Sequence, residues 1–415
     1  MSDKLSDDVS FDSEKTSQQE EQIRIWRMTL AVHFSNLLYS AAFWIQIGIN
    51  PYIIKSLNVD VVTYGYLQTA FSGLQLLGGP VYGRLGDIFG SRRVLILAHT
   101  CGFLMYCLNF LADNTLMLFL ARLPGLLLHG AQGAQMAITD VTSHKERAVA
   151  LGKLSFSYGL GVILGPFLGG QISKYSSQKV TMLFAAALSA FAVVFINITL
   201  SKLPVKSDQE RKDTSSLLDA NISNLMSIPS VRFLYVMKLI SGLPFAIFQS
   251  MFSVIVVNSF GFTAAQNGAF MSYVGLLMIL VQGVAVGFVT RHMNDKKTLV
   301  LSMVASSFGY FIWCYSTKAV HLCILVIPLM FGGGLFSVIT NSILTKVVPA
   351  DDTGFALGLS FATHSLRTLS PTLGGLLLAN FGYTSLGGFG CVVCIGSALY
   401  IFALSNASIE TNKST

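Results

Sequence analysis

The sequence predicts an all-α integral membrane protein with twelve transmembrane helices arranged as two six-helix pseudo-repeats. Three observations predict it: a depleted charge content, a succession of apolar runs of membrane-spanning length, and an internal duplication. Of the 415 residues, 53% are hydrophobic and only 11% are charged, where a soluble domain carries about 25% charged residues. A span needs about 20 mostly apolar residues. The sequence supplies such segments near 28–50, 62–83, 94–112, 115–139, 148–172 and 179–200, and again near 231–257, 265–290, 298–316, 320–346, 354–378 and 383–404.

The parts between the spans have their own reading. Residues 1–22, MSDKLSDDVSFDSEKTSQQEEQ, are polar, acidic and serine-rich, the composition of a disordered tail. They lack the basic start and short apolar core of a signal peptide, so the first span is expected to be an uncleaved anchor. The N-terminal half then covers 23–200 and the C-terminal half 231–404, with a short tail at 405–415. Residues 201–230 carry charges, serines and Pro229 and read as a linker. Leu218, Ile222 and Leu225 are spaced to form a short interfacial helix within it.

Basic residues favour cytoplasmic loops. With the N-terminus inside, the inner segments hold nineteen Lys and Arg against four outside, Lys55, Lys174, Lys179 and Lys318. Both termini and the linker are therefore expected in the cytoplasm. The sequons at Asn197, Asn221, Asn406 and Asn412 fall on that side, where glycosylation does not reach. The six cysteines all lie in apolar runs; Cys391 and Cys394 form a C-x-x-C with no second pair or histidine cluster, so packing is expected of them rather than metal or disulfide chemistry.

Three polar landmarks carry the duplication. ERAVALG at 146–152 returns as DTGFALG at 352–358, GPFLGG at 165–170 as SPTLGG at 370–375, and GRLGD at 83–87 aligns with GFVTR at 287–291. The offsets agree within two residues. Internal repeats of this kind are a recurring plan of secondary transporters, with the binding site between the repeats near mid-membrane.

GRLGDIFGSRR at 83–93 places an acid and three arginines among glycines. A phosphate-binding loop is a poor reading, since it needs a strand leading into the glycines, and here two spans flank them. With Gly83, Asp87 and Gly90 at their spacing, the stretch resembles the signature between the second and third spans of the major facilitator superfamily. GVILGPFLGG at 161–170 resembles the fifth-span signature of that superfamily's drug–proton antiporter branch, G-x-x-x-G-P-x-x-G-G. YGYLQTAFSGLQLLGGPVYGRLGD and AQMAITDVTSHKERAVALG resemble the organic cation transporter-like carriers of solute carrier family 22. The resemblance covers roughly residues 23–405. Ile88 and Ser91 stand where that signature usually has basic residues, and the glycine expected after the fourth-span arginine, Arg122, comes one residue early at Gly125.

The resemblance implies a cytoplasmic clasp. Asp87 would face a helix N-terminus, whose dipole favours an anion, and pair with Arg84, Arg92 or Arg93, with Asp140 as a second acceptor; the alternative is a solvated loop that only follows the basic-inside bias. Arg291 occupies the Asp87 position in the second repeat. Gly161, Gly165, Pro166, Gly169 and Gly170 are expected to form a bend and a close seam between the halves, because small residues four apart let backbones approach in lipid and proline removes a donor.

Ionisable residues within spans are functional candidates. Arg122 and His129, seven apart and hence on one helical face, with Gln132 beside them, are candidates for a central cavity or for ion coupling. So are His364 and Arg367, which share a stripe with Ser360 and Pro371. The first span offers His33, Asn36, Ser40, Tyr39 and Phe43; the seventh offers Gln249 between Phe245, Phe248 and Phe252. For each, plain packing or a structural hydrogen bond is the competing reading. Lys153 and Lys238 lie within about two turns of the inner surface and are expected to snorkel.

No Asp or Glu sits deep in any span. The resemblance implies organic cations exchanged for protons, through Arg122 and a cavity histidine, since histidine titrates near neutral pH. The charges favour anionic, zwitterionic or neutral amphipathic substrates, and both readings stand at this stage. The expected activity is secondary transport by alternating access, with a small molecule and protons as partners, the bilayer as solvent, and no enzyme activity, cofactor, metal or nucleic acid. A monomer in the plasma membrane is the favoured form. The rival reading is a non-transporting scaffold or receptor with the same fold.

Overall fold

The structure, a computed structural model, describes residues 2–142, 147–200, 226–348 and 367–403. The described elements are helical. In chain order they are α1 Ser2–Ser56, α2 Val61–Phe89, α3 Ser91–Leu111, α4 Thr115–Leu120, a 3₁₀ turn Leu123–Leu127, α5 Gly130–Val141, α6 Arg147–Tyr175 and α7 Gln178–Thr199. After the linker come α8 Pro229–Asn258, α9 Ala264–Leu280, a π-helical turn Val281–Ala285, α10 Val286–His292, α11 Asp295–Cys314, α12 Ala319–Val347, a 3₁₀ turn Arg367–Leu369, α13 Ser370–Phe381 and α14 Tyr383–Ala403. Among the described residues, nine helices are long and apolar enough to cross a membrane.

Two sequence expectations change here. The backbone is helical from Ser2 rather than irregular over 1–22, and α1 runs unbroken into the span Gln22–Ser56. The segment's Lys, Glu and Gln residues are good helix formers, and the apolar helix that follows supplies a ready nucleus. The fourth span is not one helix: α4 ends at Leu120 and α5 begins at Gly130. Pro124 has no N–H and disfavours helical geometry at Leu123, so the chain passes through a 3₁₀ turn instead. The argument that Arg122 and His129 share a face by sevenfold spacing does not apply to this broken segment.

A broken helix in apolar surroundings exposes carbonyls that must be satisfied within the protein. Tyr39 Oη donates to Leu128 O at 2.9 Å, and Gln75 Nε2 donates to Gly125 O and, at 3.3 Å, to Leu128 O. Tyr39, a cavity candidate from the sequence, is thus employed in closing the break together with Gln75.

The helices form two groups. α1 packs on α6 and α7, and α3 on α7; α11 packs on α12 and α14, and α8 on α13 and α14. Two seams join the groups, α6 against α9 and α2 against α13. The seams repeat each other. A Cβ at Gly268 would stand 2.2 Å from Pro166 O, and one at Gly65 would stand 2.6 Å from Pro371 O. Likewise Gly170 faces the backbone of Ala264 and Ala265 at the start of α9, while Gly375 faces Val61 and Val62 at the start of α2. Each glycine lets one backbone touch the other.

The fifth-span signature divides between two jobs. Gly161 and Gly165 lie against Ser40 and Ala41 of α1, and Gly169 against Ile45, all within one group. Only Pro166 and Gly170 reach the other group. The expectation that all five residues make the inter-half seam is corrected: α1 is the neighbour on the face defined by 161, 165 and 169, four apart, and the next residue round the helix points across.

Hydrogen bonds between the groups gather toward the end that carries the α1–α2 and α8–α9 connections. Tyr52 Oη donates to Phe262 O (3.0 Å), Asn267 Nδ2 to Gly48 O (2.9 Å), Ser272 Oγ to Ile163 O (2.6 Å), and the hydroxyls of Thr69 and Thr372 meet at 2.7 Å. At that end Asp60 caps α2, accepting from the backbone of Val62 and Thr63 and from the Thr63 hydroxyl. These bonds, the hydroxyl's foremost, hold its carboxyl below the usual carboxylate range. A lowered pKa means stabilisation that is fully present above the ordinary carboxylate pKa and fades as pH falls through the folded value. Asp60→Ala is expected to cost about 1 kcal/mol at neutral pH, with Asp60→Asn retaining most of the cap; thermal melts at pH 7 and pH 3 check this, and an equal Asp60→Ala loss at both would contradict it.

Candidate functional site

Two neighbouring cavities lie within the helix bundle. One, of about 400 Å³, is walled by Phe43 and Trp44 of α1, Tyr64, Gln68 and Phe71 of α2, Phe248, Gln249 and Phe252 of α8, Phe270 of α9, and Pro371 of α13. The other, of about 210 Å³, lies deeper in the C-terminal group between α8, α9, α11 and α12, with Lys238, Gln249, Gln282, Ser306, Thr340 and Asn341 among its lining. Gln249, Met278 and Met330 line both, so the two are adjacent.

The first chamber is an aromatic box. Phe43 stacks on Phe71 at 6.2 Å, Phe248 meets Phe252 at 4.8 Å, and Phe252 stacks on Phe270 at 5.0 Å, with Trp313 behind Phe248 at 5.2 Å. Aromatic walls with few polar groups are the usual make-up of a small-molecule site. Of the seventh-span residues, Phe248, Gln249 and Phe252 line this chamber, and Phe245 and Gln249 line the other. Phe43 is on the wall too.

Other candidates lie elsewhere. Arg122 is 2% exposed and is not among the wall residues. It lies one layer back, its guanidinium 5.9 Å over the Phe71 ring and within electrostatic reach of Tyr64 and Tyr106. Its Nε and Nη2 find no hydrogen-bond partner among the described residues. Tyr64 is a wall residue that accepts from Gln68 Nε2 (2.7 Å) and donates across the seam to Ser250 O (3.4 Å). Tyr39 is buried behind Phe43. His129 precedes α5, its ring 5.5 Å from Tyr82 and its Nε2 unpartnered. Gln132 Nε2 donates to Gly79 O at 3.4 Å. Asn36 is tied to Leu154 O and Ser157 Oγ of α6, both at 3.0 Å. For these residues the structure gives helix-to-helix positions. His364 lies outside the described residues, and of Arg367 the backbone alone is described, in a 3₁₀ turn leading into α13.

The glycine-rich stretch 83–93 lies far from the aromatic box along α2. Gly90, at φ +85°, joins α2 directly to α3, a conformation that side-chain-bearing residues rarely adopt. Gly83 and Gly86 admit Gln132 and Met136 of α5. Arg92 donates to Asn197 O (3.2 Å) and Oδ1 (3.1 Å) of α7. Among the described residues no ion pair involves Asp87, and Arg84 and Arg93 are exposed. Asp140 sits in the last turn of α5. In the second copy of the stretch, Asp295 pairs with Lys346 at 2.7 Å, within the C-terminal group.

Lys238 is a cavity-lining residue that the sequence reading placed at the membrane surface. It lines the deeper cavity, half-buried, and donates to Asn341 Oδ1 of α12. Snorkelling was the expectation from its distance to the helix end, but its face of α8 is the inner one, marked by Ser241, Phe245 and Gln249 at helical spacing. That stripe is visible in the sequence. Gln282 was missed as well; it stands in the π-helical turn, a local widening often found at functional sites. All six cysteines are free, and Cys394 reaches the deeper cavity.

Comparison with known proteins agrees with the fold and the cavity. The Major Facilitator Superfamily profile matches residues 32–366 and again 234–415. The chain is 37% identical over 357 residues to human solute carrier family 67 member A1, spanning 83% of this chain and 84% of the relative. It is 36% identical over 355 residues to mouse solute carrier family 22 member 18, at 83% and 87% coverage. Multidrug resistance protein 1 of Bacillus subtilis is 26% identical over 356 residues, covering 84% of this chain and 90% of that protein. The crystal structure of nucleoside transporter NupG superposes with a TM-score of 0.72 at 14% identity, over 91% of this chain and 100% of that one. A matched profile over most of the length, close relatives in full-length alignment and the same helix arrangement lead to one conclusion: the chain is a multi-pass membrane protein that belongs to the major facilitator superfamily.

Proposed function

We propose that the protein is a secondary transporter that carries small amphipathic organic molecules by alternating access between its two helix groups. The observation that carries this reading is the aromatic cavity, sited between the groups and closed toward one end by the paired seams. The repeated contacts of Gly65 with Pro371 and of Gly268 with Pro166 support twelve crossings in two six-helix repeats. The distribution of basic residues supports cytoplasmic termini and linker, so the closed end faces outward and the cavity opens inward. The solute carrier and multidrug resistance relatives support a drug-like or metabolite-like substrate, and the plasma membrane is the host assigned to it.

Proton exchange is part of the proposal. Arg122 has unpartnered nitrogens beside Tyr64, and Tyr64 bridges the seam to Ser250; a change in the state of this buried cluster would bear on whether the seam holds. His129, with its free Nε2, is the histidine assigned to the coupling step. The test is flux of a fluorescent amphiphile into proteoliposomes under an imposed pH step. Saturable uptake that follows the gradient, and that falls about tenfold or more in Arg122→Gln, is expected; for scale, an unpaired buried charge is worth several kcal/mol. Uptake indifferent to the gradient, with His129→Ala unimpaired, sinks the coupling.

A further inference from the structure

We infer that the outward route of the substrate runs between α1, α2 and α8, and that the ring of Tyr64 closes it in this state. The inference rests on the transporter reading above and gives that cycle its outer path and its gate.

Position is the first argument. A third cavity, of about 250 Å³, lies at the end that carries the α1–α2 and α8–α9 connections. Lys55, Asn58, Asp60 and Asn258 are among its lining residues and are exposed, so this cavity is reached from solvent. Tyr64 lines it and the aromatic chamber alike, and is the one described residue that the two linings share. Tyr64 is itself 2% exposed. Its side chain therefore stands where the outer cavity stops and the chamber begins.

Helical spacing is the second. On α2, Val61 lines the outer cavity, Tyr64 lines both, and Gln68 and Phe71 line the chamber, at intervals of three, four and three residues. On α8, Asn258 and Val254 line the outer cavity and Ser250 the chamber, each four residues apart. On α1, Ile54 lines the outer cavity and Ile47 the chamber, seven residues apart. Such spacings keep residues on one helix face. Three faces thus run from one cavity to the other past Tyr64.

Attachment is the third. Tyr64 Oη accepts from Gln68 Nε2 at 2.7 Å and donates to Ser250 O of α8 at 3.4 Å. The short bond lies within α2 and orients the ring. The long one crosses between the groups and is the weaker of the two. Gly65, the next residue, meets the backbone of Pro371 at the α2–α13 seam. Parting of that seam therefore carries Tyr64 away from its partners in the C-terminal group, so the gate opens with the rocking of the groups.

The test measures thiol labelling in intact cells expressing the full-length protein with its native cysteines replaced. A membrane-impermeant methanethiosulfonate is added outside, and the reporters are Asn258→Cys in the outer cavity and Gln249→Cys in the chamber. Asn258→Cys is expected to react fast whatever stands at position 64. Gln249→Cys is expected to react slowly beside Tyr64 and about tenfold or more faster in Tyr64→Ala, where the barrier is gone without waiting for the outward state. Tyr64→Phe keeps the ring, and Tyr52→Phe removes a cross-group bond at the same end from a residue lining neither cavity. Each is expected to change the Gln249→Cys rate about threefold or less, the scale of one weak hydrogen bond. Three results overturn the inference: equal labelling of Gln249→Cys with and without the Tyr64 ring, acceleration in Tyr52→Phe as large as in Tyr64→Ala, or an Asn258→Cys that does not react from outside. Should Tyr64→Ala fail to fold, a measurement with Tyr64 in place decides. A bulky maleimide on Asn258→Cys is expected to cut amphiphile flux about fivefold or more by filling the route, and undiminished flux overturns it. Flux also separates the two levels. Labelling that obeys Tyr64 while no amphiphile is carried keeps the barrier and removes the transporter reading. An amphiphile carried while labelling is indifferent to Tyr64 removes the gate and keeps the transporter.

Discussion

Gly78→Ala is expected to destabilise the protein by about 3 kcal/mol or more and to lower its thermal midpoint in detergent by several degrees. A Cβ at Gly78 would stand 1.6 Å from Leu126 O and 2.6 Å from Leu126 C. Both are backbone atoms of the 3₁₀ turn that breaks the fourth span, and backbone cannot rotate out of the way as a side-chain end can. Relief requires α2 and the turn to separate, and the turn is also held by Gln75 and Tyr39. Those bonds help to satisfy the carbonyls of Gly125 and Leu128 in an apolar setting, so their loss compounds the steric cost. Gly73→Ala is the matched control on the same helix, since a Cβ there meets nothing within 4 Å. It is expected to be neutral or to stabilise by up to about 1 kcal/mol through helix propensity. Equal effects of the two substitutions would show that the broken segment is not packed as described.

The second large effect is on the conformational equilibrium rather than on folding. Gly268→Ala places a Cβ 2.2 Å from Pro166 O at the α6–α9 seam, and Gly65→Ala places one 2.6 Å from Pro371 O at the α2–α13 seam. Alternating access separates these backbones in the opposite state. The penalty therefore falls on one state, and about 1.5–3 kcal/mol of one-sided cost shifts the ratio of the two states by about 10–100-fold. Transport is expected to slow in both variants, because each cycle must pass through the penalised state. Thermal stability should change less than in Gly165→Ala, whose Cβ would strike Ala41 O within a single group in either state. A stability loss in Gly268→Ala as large as in Gly165→Ala, with no change in the balance of states, would count against a moving seam.

Much of this architecture was legible in the sequence. Apolar runs located the described spans to within a few residues, because a bilayer demands a fixed length of satisfied helix and little else. The glycine landmarks GPFLGG and SPTLGG marked both seams, since only glycine allows Gly170 and Gly375 to meet the backbone of the opposite group. The break in the fourth span was legible but underweighted: Pro124, Gly125 and Gly130 signal it, and apolarity over 115–139 hides it. Sites were read less well. Arg122 and Tyr39 were expected at the cavity as polar side chains on promising spans, yet polarity in a span serves helix closure as often as ligand binding, and sequence spacing does not distinguish a wall from the layer behind it. Lys238 erred the other way. Its distance from the helix end suggested snorkelling, whereas its face, shared with Ser241, Phe245 and Gln249, assigned it to the interior.

The central claim is that the two groups rock about the cavity, closing one end as the other opens. Paired spin labels test it most directly, with native cysteines replaced and labels at Lys55 and Ser259 on one end, and at Ile88 and Arg291 on the other, all exposed positions. Distances are measured by pulsed electron resonance with and without an amphipathic substrate, at two pH values. The account predicts two populations at each end, with the Lys55–Ser259 distance lengthening as the Ile88–Arg291 distance shortens, and with Gly268→Ala favouring the state in which Lys55 and Ser259 are apart. A single distance at each end, unchanged by substrate, pH and Gly268→Ala, would contradict it.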